Sequence, residues 1–295
     1  MGSTRNHQRF RCSAHVRDDF VHKEATEMKS RVVGIFVDGV VVTLGLLSLL
    51  APFIFPWARN SSAQGASFPI MVSLIIILCL LVAFYEAQTS VLESKMIAFL
   101  GILIAINAGL RFLENAIPGP AGFSPTFFLI ILMGYFFGSR IGFLMGSMTM
   151  LVSGLITGGV GPWLPGQMIT AGWVGQSAAL LIPIIKLIHI KDKPAEIILL
   201  AIFGAFWGLL YGAIMNLWFW PFLAASPDLI WTQSAHFSEN LQRYTAYYTS
   251  TSLVWDVTRA IGNILVISVM AKPVIKIFER FQRRFSFDYT QKTNA

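Results

Sequence analysis

Charge is what this sequence has least of. Asp, Glu, Lys and Arg supply 13% of the 295 residues, while 55% are hydrophobic and the mean hydropathy is +0.64. A soluble domain carries about 25% charged residues, and one of this composition would have no way to hide its apolar surface, so the chain belongs with membrane proteins. Cysteine is almost missing: Cys12 lies in a basic tail and Cys79 inside an apolar run, so no disulfide framework is implied. Cys12, His15 and His22 match no zinc spacing, and no metal is assigned to this chain. Also missing are a Walker A sequence, a DDxxD-like carboxylate cluster, an HExxH pair and a Ser/His/Asp set that the topology would unite, so no catalytic residues are assigned. The first apolar run begins only at Val32, after a polar tail unlike a signal peptide, and insertion is expected through the spans themselves. The net charge of +7 is concentrated at the two ends, a pattern that reports membrane topology rather than nucleic-acid binding.

What is present in abundance is apolar runs. A membrane span needs about 20 apolar residues, and eight candidates occur: Val32 to Pro56, Phe68 to Tyr85, Met96 to Phe112, Ser124 to Gly138, Ile141 to Thr157, Trp163 to Leu187, Ala195 to Pro221 and Leu253 to Lys272. The fourth and fifth are short and separated only by Ser139 and Arg140, as in a helical hairpin or a pair of tilted helices. The fold class is therefore an all-α polytopic membrane protein.

Lys and Arg orient it, because cytoplasmic ends retain them. Seven basic residues from Arg5 to Arg31 precede the first span, Lys95, Arg140, Lys186, Lys191 and Lys193 fall in alternate loops, and Lys276, Arg280, Arg283 and Arg284 follow the last span. Both termini are expected in the cytoplasm. The outer face then carries Trp57 to Ser67, the turn LENAIPGPAGF, the stretch TGGVGPWLPGQM around Gly158 to Gly161, and the long connection Phe222 to Thr251. Two stiff Gly/Pro-rich turns over one bundle read either as a lid or as tight turns between short helices, since irregular backbone at membrane depth needs a cavity or protein around it.

Polar residues inside spans are expensive and face a cavity or a partner. Asn107, Arg111 and Glu114, spaced i, i+4, i+7, share one face of the third span, and Gly101, Ala105 and Gly109 form a stripe roughly opposite. Ser252, Asp256, Arg259 and Asn263 fall in one sector of the last span. Asp256 with Arg259 reads as a ligand site or as an internal pair tethering helices. Gly204, Gly208 and Gly212 make a packing face on the seventh span below Asn216, followed by Trp218 and Trp220, which read as ligand contacts or as interfacial belt residues. Trp163 and Gln167 open the sixth span, with Pro162 and Pro165 bracketing the tryptophan, itself either a lid residue or an interfacial anchor. These residues converge on the outer half of the bundle. They describe a pocket for an organic ligand, with Asn107, Arg111, Glu114, Trp163, Gln167, Asn216, Trp220, Asp256, Arg259 and Asn263 as its candidate lining. Three function classes compete: a binding subunit, a stand-alone proton- or ion-coupled transporter using Asp256, Arg259 and Glu114, and an integral membrane enzyme.

From about Lys95 to Phe281 the residues AINAGLRFLE, FLIILMGYFFGSRIGFLMGSMTMLVSGLITGGVGPWLPGQMITAGWVG, YGAIMNLWFWPF and DVTRAIGN resemble the substrate-binding S components of energy-coupling factor (ECF) vitamin importers. Within them the chain is most similar to the branch assigned to cobalamin. The resemblance implies a six-helix core over 95–281, preceded by a basic tail (1–31) and two additional transmembrane helices (32–94), and followed by a cytoplasmic tail (282–295). It implies capture of a vitamin outside the cell, closure of TGGVGPWLPGQM and IPGPAGF as gating loops, and docking on a transmembrane T component driven by two ATPase subunits. ATP would be used by those partners, with no cofactor bound by this chain. Where the family's first helix carries alanines four apart for the T-component contact, this chain has Gly101, Ala105 and Gly109. Asp38 in the first span has no assigned role.

Overall fold

The structure is a computed structural model that describes residues 94–116, 123–161, 163–220, 226, 228–232 and 234–293, with scattered helical positions between 36 and 53. The basic tail with Cys12, His15 and His22, Asp38, the second apolar run with Cys79, the turn IPGPAGF up to Gly122, and Pro162 lie outside the described residues.

Among the described residues the regular structure is helical throughout: α1 (Ser94–Ala116), α2 (Thr126–Phe137), α3 (Ser139–Thr157), α4 (Leu164–Ala178), α5 (Leu181–Leu187), α6 (Pro194–Phe219), α7 (Phe237–Thr251) and α8 (Leu253–Thr293). Five stretches are long and apolar enough to cross a membrane: Lys95–Glu114, Ser139–Thr157, Leu164–Leu187, Pro194–Phe219 and Leu253–Gln282. Helix α2 is a shorter apolar helix with most of its residues buried, and at about 1.5 Å per residue it is too short to cross on its own. It reverses into α3 through Gly138, whose φ of +93° is a conformation open to glycine and strained for other residues. The fourth and fifth apolar runs are thus a helical hairpin.

The sequence marks the breaks. Gly158 ends α3 in the left-handed conformation at φ +66°, its amide bonded back to the Gly154 carbonyl. Pro165 lies in the first turn of α4, and Pro194 opens α6, where the missing amide costs nothing. Two departures from the expected layout stand out. The connection after Trp220 folds a 15-residue helix, α7, because Tyr244, Tyr247 and Tyr248 recur at i, i+3, i+4 and find an inward face. The last helix runs past Lys272 to Thr293, through Pro273, where a span of about 20 residues was expected.

Residues Met1–Thr43 and Leu44–Ala295 form two compact units. In the first, the described residues include Thr43, whose hydroxyl donates to the Gly39 carbonyl at 2.8 Å. In the second, the core is built by α2, α3 and α4 with the inward faces of α6 and α8: Ile130, Ile131, Leu132, Met133, Met145, Ala171 and Val174 are fully buried. Gly45 belongs to this unit, and a side chain there would run into Trp173 and lie 2.7 Å from Ile169 of α4. Phe53 meets Trp231 edge-on at 5.9 Å and Trp220 at 6.3 Å. The end of the first apolar run therefore packs against α4 and the aromatic group beside α7.

Candidate functional site

Helix α1 has two unlike faces. Its inward face buries Leu100, Leu103, Asn107 and Ala108, while Gly101, Ile102, Ala105 and Ile106 are exposed. A Cβ added at Gly101 or Gly109 would meet no atom of the described residues within 4 Å. The polar stripe and the small-residue stripe thus fall on opposite sides, one occupied and one open.

On the occupied side the predicted residues meet other helices. Asn107 Nδ2 donates to the Thr126 carbonyl at 3.1 Å and to Thr149 Oγ1 at 3.2 Å, joining α1 to α2 and α3. Arg111 sends one nitrogen to the Met150 sulfur and the other to Gln167 Oε1 at 3.1 Å, joining α1 to α4. Glu114 Oε2 accepts from Ser124 at 2.8 Å and from Thr126 at 3.4 Å.

The second group of predicted residues lies between α6 and α8. Asp256, 2% exposed, pairs with Arg259 one turn on and accepts from the Tyr248 hydroxyl at 2.9 Å. Arg259 also reaches the Gly208 carbonyl at 3.4 Å and lies 5.8 Å from the centroid of the Tyr211 ring. Asn263 donates to the Gly204 carbonyl at 2.8 Å. Asn216 Oδ1 accepts from Ser252 at 2.8 Å and from Tyr247 at 3.2 Å, while its Nδ2 donates to the Gly212 carbonyl at 2.8 Å. The glycines at 204, 208 and 212 therefore do two things: they admit α8 at close range, and they leave carbonyls for Asn263, Arg259 and Asn216 to reach.

Tyr211 connects the two groups. Its side chain is buried, its O–H finds no acceptor among the described residues, Arg111 lies close enough to interact with its oxygen, and Arg111, Arg259 and Glu114 all act on it electrostatically. Two cations and one anion from α1 and α8 thus act on one phenol of α6. Asn107 Oδ1 and Asn263 Oδ1 are also buried without a partner. Buried polar atoms of folded proteins are nearly always bonded, so three orphans on three helices mark a polar interior fitted to something beyond the chain's own groups.

Helix α7 covers this end. Tyr244 donates to the Ala213 carbonyl at 2.6 Å, so that with Tyr247 and Tyr248 three hydroxyls of one helix are pinned to α6 and α8. Burial raises all three phenols above their usual range, and for Tyr248 the Asp256 bond adds to it, so each remains a proton donor at neutral pH.

Two predicted residues stand apart from the polar group. Trp220 is 3% exposed, donates to the Leu229 carbonyl at 2.7 Å, and meets Tyr244 edge-on at 5.2 Å. With Trp218 at 5%, it is a packing residue under α7 rather than an interfacial belt residue. Trp163 folds onto its own loop: its indole nitrogen donates to the Gly159 carbonyl at 3.0 Å, and a side chain at Gly161 would lie 2.5 Å from its ring. It is 38% exposed and 6.4 Å from the Phe219 ring. The loop TGGVGPWLPGQM is held by this internal bond, and Gln167, one turn further, carries its connection to α1.

Sequence reading missed Tyr211 and the three tyrosines of α7. The α7 spacing was a readable helical signal, but Tyr211, inside an apolar glycine-rich span, gave none. At the other end of α4 and α5 a cavity of about 140 Å³ is lined by Tyr135, Phe136, Ile185, Lys186 and Lys191, among others. Nearby, Glu196 accepts from Tyr135 at 2.8 Å and from the Asp192 amide at 2.6 Å. Among the described residues no group of three His, Cys, Asp or Glu is placed to hold a metal.

A bundle with five helices long and apolar enough to cross a membrane, which buries paired charges and amides at one end, is a multi-pass membrane protein. Residues 95–271, more than half of the chain, match the ECF transporter, substrate-specific component family, and the protein belongs to that family. It is therefore a substrate-specific subunit of an ECF transporter, a class that binds a small molecule and works with T and ATPase modules, and is not an enzyme family. No curated protein and no solved structure matches the chain.

Proposed function

We propose that this subunit captures a vitamin or related micronutrient, with cobalamin preferred, from outside a bacterial cell. The α7 end then faces out, both termini face the cytoplasm, and the ligand sits among Asn107, Arg111, Glu114, Gln167, Asn216, Asp256, Arg259 and Asn263. Trp163 and Trp220 flank the entrance under the α3–α4 loop and α7. The cobalamin preference comes from the resemblance of GGVGPWLP and MNLWFWPF, and the outward orientation from the alternation of Lys and Arg. The site contributes the observation that carries the reading: one helix, α1, presents a buried polar face to the site and an open Gly101, Ala105, Gly109 stripe to the outside of the bundle. Such a helix couples what is bound inside to what docks outside, where small residues let a partner helix of the T component approach closely.

The test is uptake of labelled cyanocobalamin by cells that express this chain alone or together with a T component and two ATPases. Accumulation only in the complete system, with a corrinoid absorbance copurifying with the protein, is the expected result. Equal accumulation by the chain alone would replace this reading with an ion-coupled transporter built on Asp256, Arg259 and Glu114.

A further inference from the structure

Among the charged groups of the site, Arg111 has the least suitable partners. Its two nitrogens rest on a thioether and a neutral amide, Met150 and Gln167. A thioether is a weak acceptor, and a guanidinium has five donors arranged to fit two oxygens of one oxyanion. The carboxylates nearby are otherwise engaged: Asp256 holds Arg259 and Tyr248, and Glu114 Oε2 accepts from Ser124 and Thr126. Glu114 attracts Arg111 through space, yet among the described residues Arg111 makes no ion pair. A half-buried cation inside a membrane span without a bonded anion is costly. Beside it stands the buried Tyr211 hydroxyl, in the field of both arginines and close enough to Arg111 to interact with it as an acceptor, while its own O–H finds no acceptor among the described residues.

We propose that Arg111 and Tyr211 form an oxyanion subsite that recognises a carboxylate or phosphate group of the transported molecule. Arg111 supplies the bidentate fork in place of its contacts to Met150 and Gln167, and Tyr211 donates its O–H to the same group. Arg259, tied to Asp256, stays a structural cation and adds only its field. The subsite deepens the transporter reading and rests on it, since a small-molecule source for the anion presumes that the site is a ligand site. The same chemistry would also accept the phosphate of an anionic lipid headgroup.

The full chain, purified in a neutral detergent free of phospholipid, is titrated by tryptophan fluorescence with nicotinate against nicotinamide and with inorganic phosphate against chloride at equal ionic strength. Nicotinate and nicotinamide differ only in the carboxylate. Nicotinate is expected to bind about tenfold more tightly than nicotinamide, in line with a charge-assisted bond. Arg111→Gln is expected to erase that preference, Arg111→Lys to keep part of it, and Tyr211→Phe to reduce it by a smaller factor. Equal binding of nicotinate, nicotinamide and chloride-matched controls overturns the subsite, as does a preference undiminished in both Arg111 variants. Should Arg111→Gln fail to fold, Arg111→Lys and Tyr211→Phe carry the same decision. Arg111-dependent stabilisation by phosphatidylglycerol over phosphatidylcholine nanodiscs, with no response to nicotinate or phosphate, overturns the small-molecule source in favour of lipid. No T component is present in this assay. An anion preference that survives a failed uptake test therefore sinks the transporter reading alone, and coupled uptake without an anion preference sinks the subsite alone.

Discussion

Two seams of the bundle use glycine for opposite purposes. Where α3 and the end of α2 meet α4, backbone touches backbone: a side chain at Gly142 or Gly134 would strike the Gly175 carbonyl, and one at Gly146 would strike that of Ala171. Between them Ser147 donates to the Met168 carbonyl at 3.0 Å. Where α6 meets α8, the space left by glycine is filled by function-bearing groups. Gly212 makes room for the Asp256 carboxylate, and Gly208 lets the Ala260 backbone come in at 2.8 Å from where its own side chain would be. Asn263 and Arg259 then reach the Gly204 and Gly208 carbonyls. The first seam is a weld that fixes the scaffold; the second is an equally close joint that also keeps polar groups in place at membrane depth. Small residues in a span therefore do not identify a partner surface, and what occupies the space opposite them decides their role.

The comparison breaks most severely at the weld. Gly175→Leu would drive a side chain into the Gly142 backbone, which has no flexible end to move, and is expected to cost about 3 kcal/mol or more and to abolish folded protein in detergent extracts. Size-exclusion chromatography and thermal unfolding check this, and a folded, ligand-competent Gly175→Leu protein would refute the close approach.

An intermediate effect is expected at the joint. Arg259→Ala leaves the buried Asp256 with only the Tyr248 hydroxyl, and breaking a pair of this kind costs on the order of 3 kcal/mol. Asp256→Asn in the same chain removes the stranded charge, so the double variant is expected to recover much of the lost stability. A double variant no more stable than Arg259→Ala would show that the arginine acts through the Gly208 carbonyl and the Tyr211 face instead.

The smallest structural effect belongs to the open stripe of α1. A Cβ at Gly101 meets no described neighbour within 4 Å, so the stability of Gly101→Leu is expected to stay within about 0.5 kcal/mol of the parent, with ligand binding retained. Energised uptake in the complete transporter is nevertheless expected to vanish. Lost binding with normal assembly of the complex would mean that the two faces of α1 have exchanged roles.

Much of this was legible from one dimension. Six of the eight apolar runs fall on described helices of the bundle, the hairpin at Ser139 and Arg140 was visible in the spacing, and the stripe Asn107, Arg111, Glu114 does turn inward. The glycine face of α6 was readable because a period of four survives any context. Hydropathy gives a tryptophan near a span end no inward or outward sense, so the burial of Trp220 beneath α7 was not legible.

The sequence by itself determined the membrane class, the helical register and the positions of the polar groups along each helix. Apolar length and the 3.6-residue period are local properties, and in lipid the backbone must satisfy its own hydrogen bonds. Only the tertiary structure decided which polar groups meet. That Arg111 finds Gln167 rather than a carboxylate, that Asp256 is shared between Arg259 and Tyr248, and that the Tyr211 O–H is left without an acceptor among the described residues all follow from how α1, α4, α6, α7 and α8 are rotated against each other. Those rotations are set by side-chain packing and by where glycine permits close approach, which no single helix encodes.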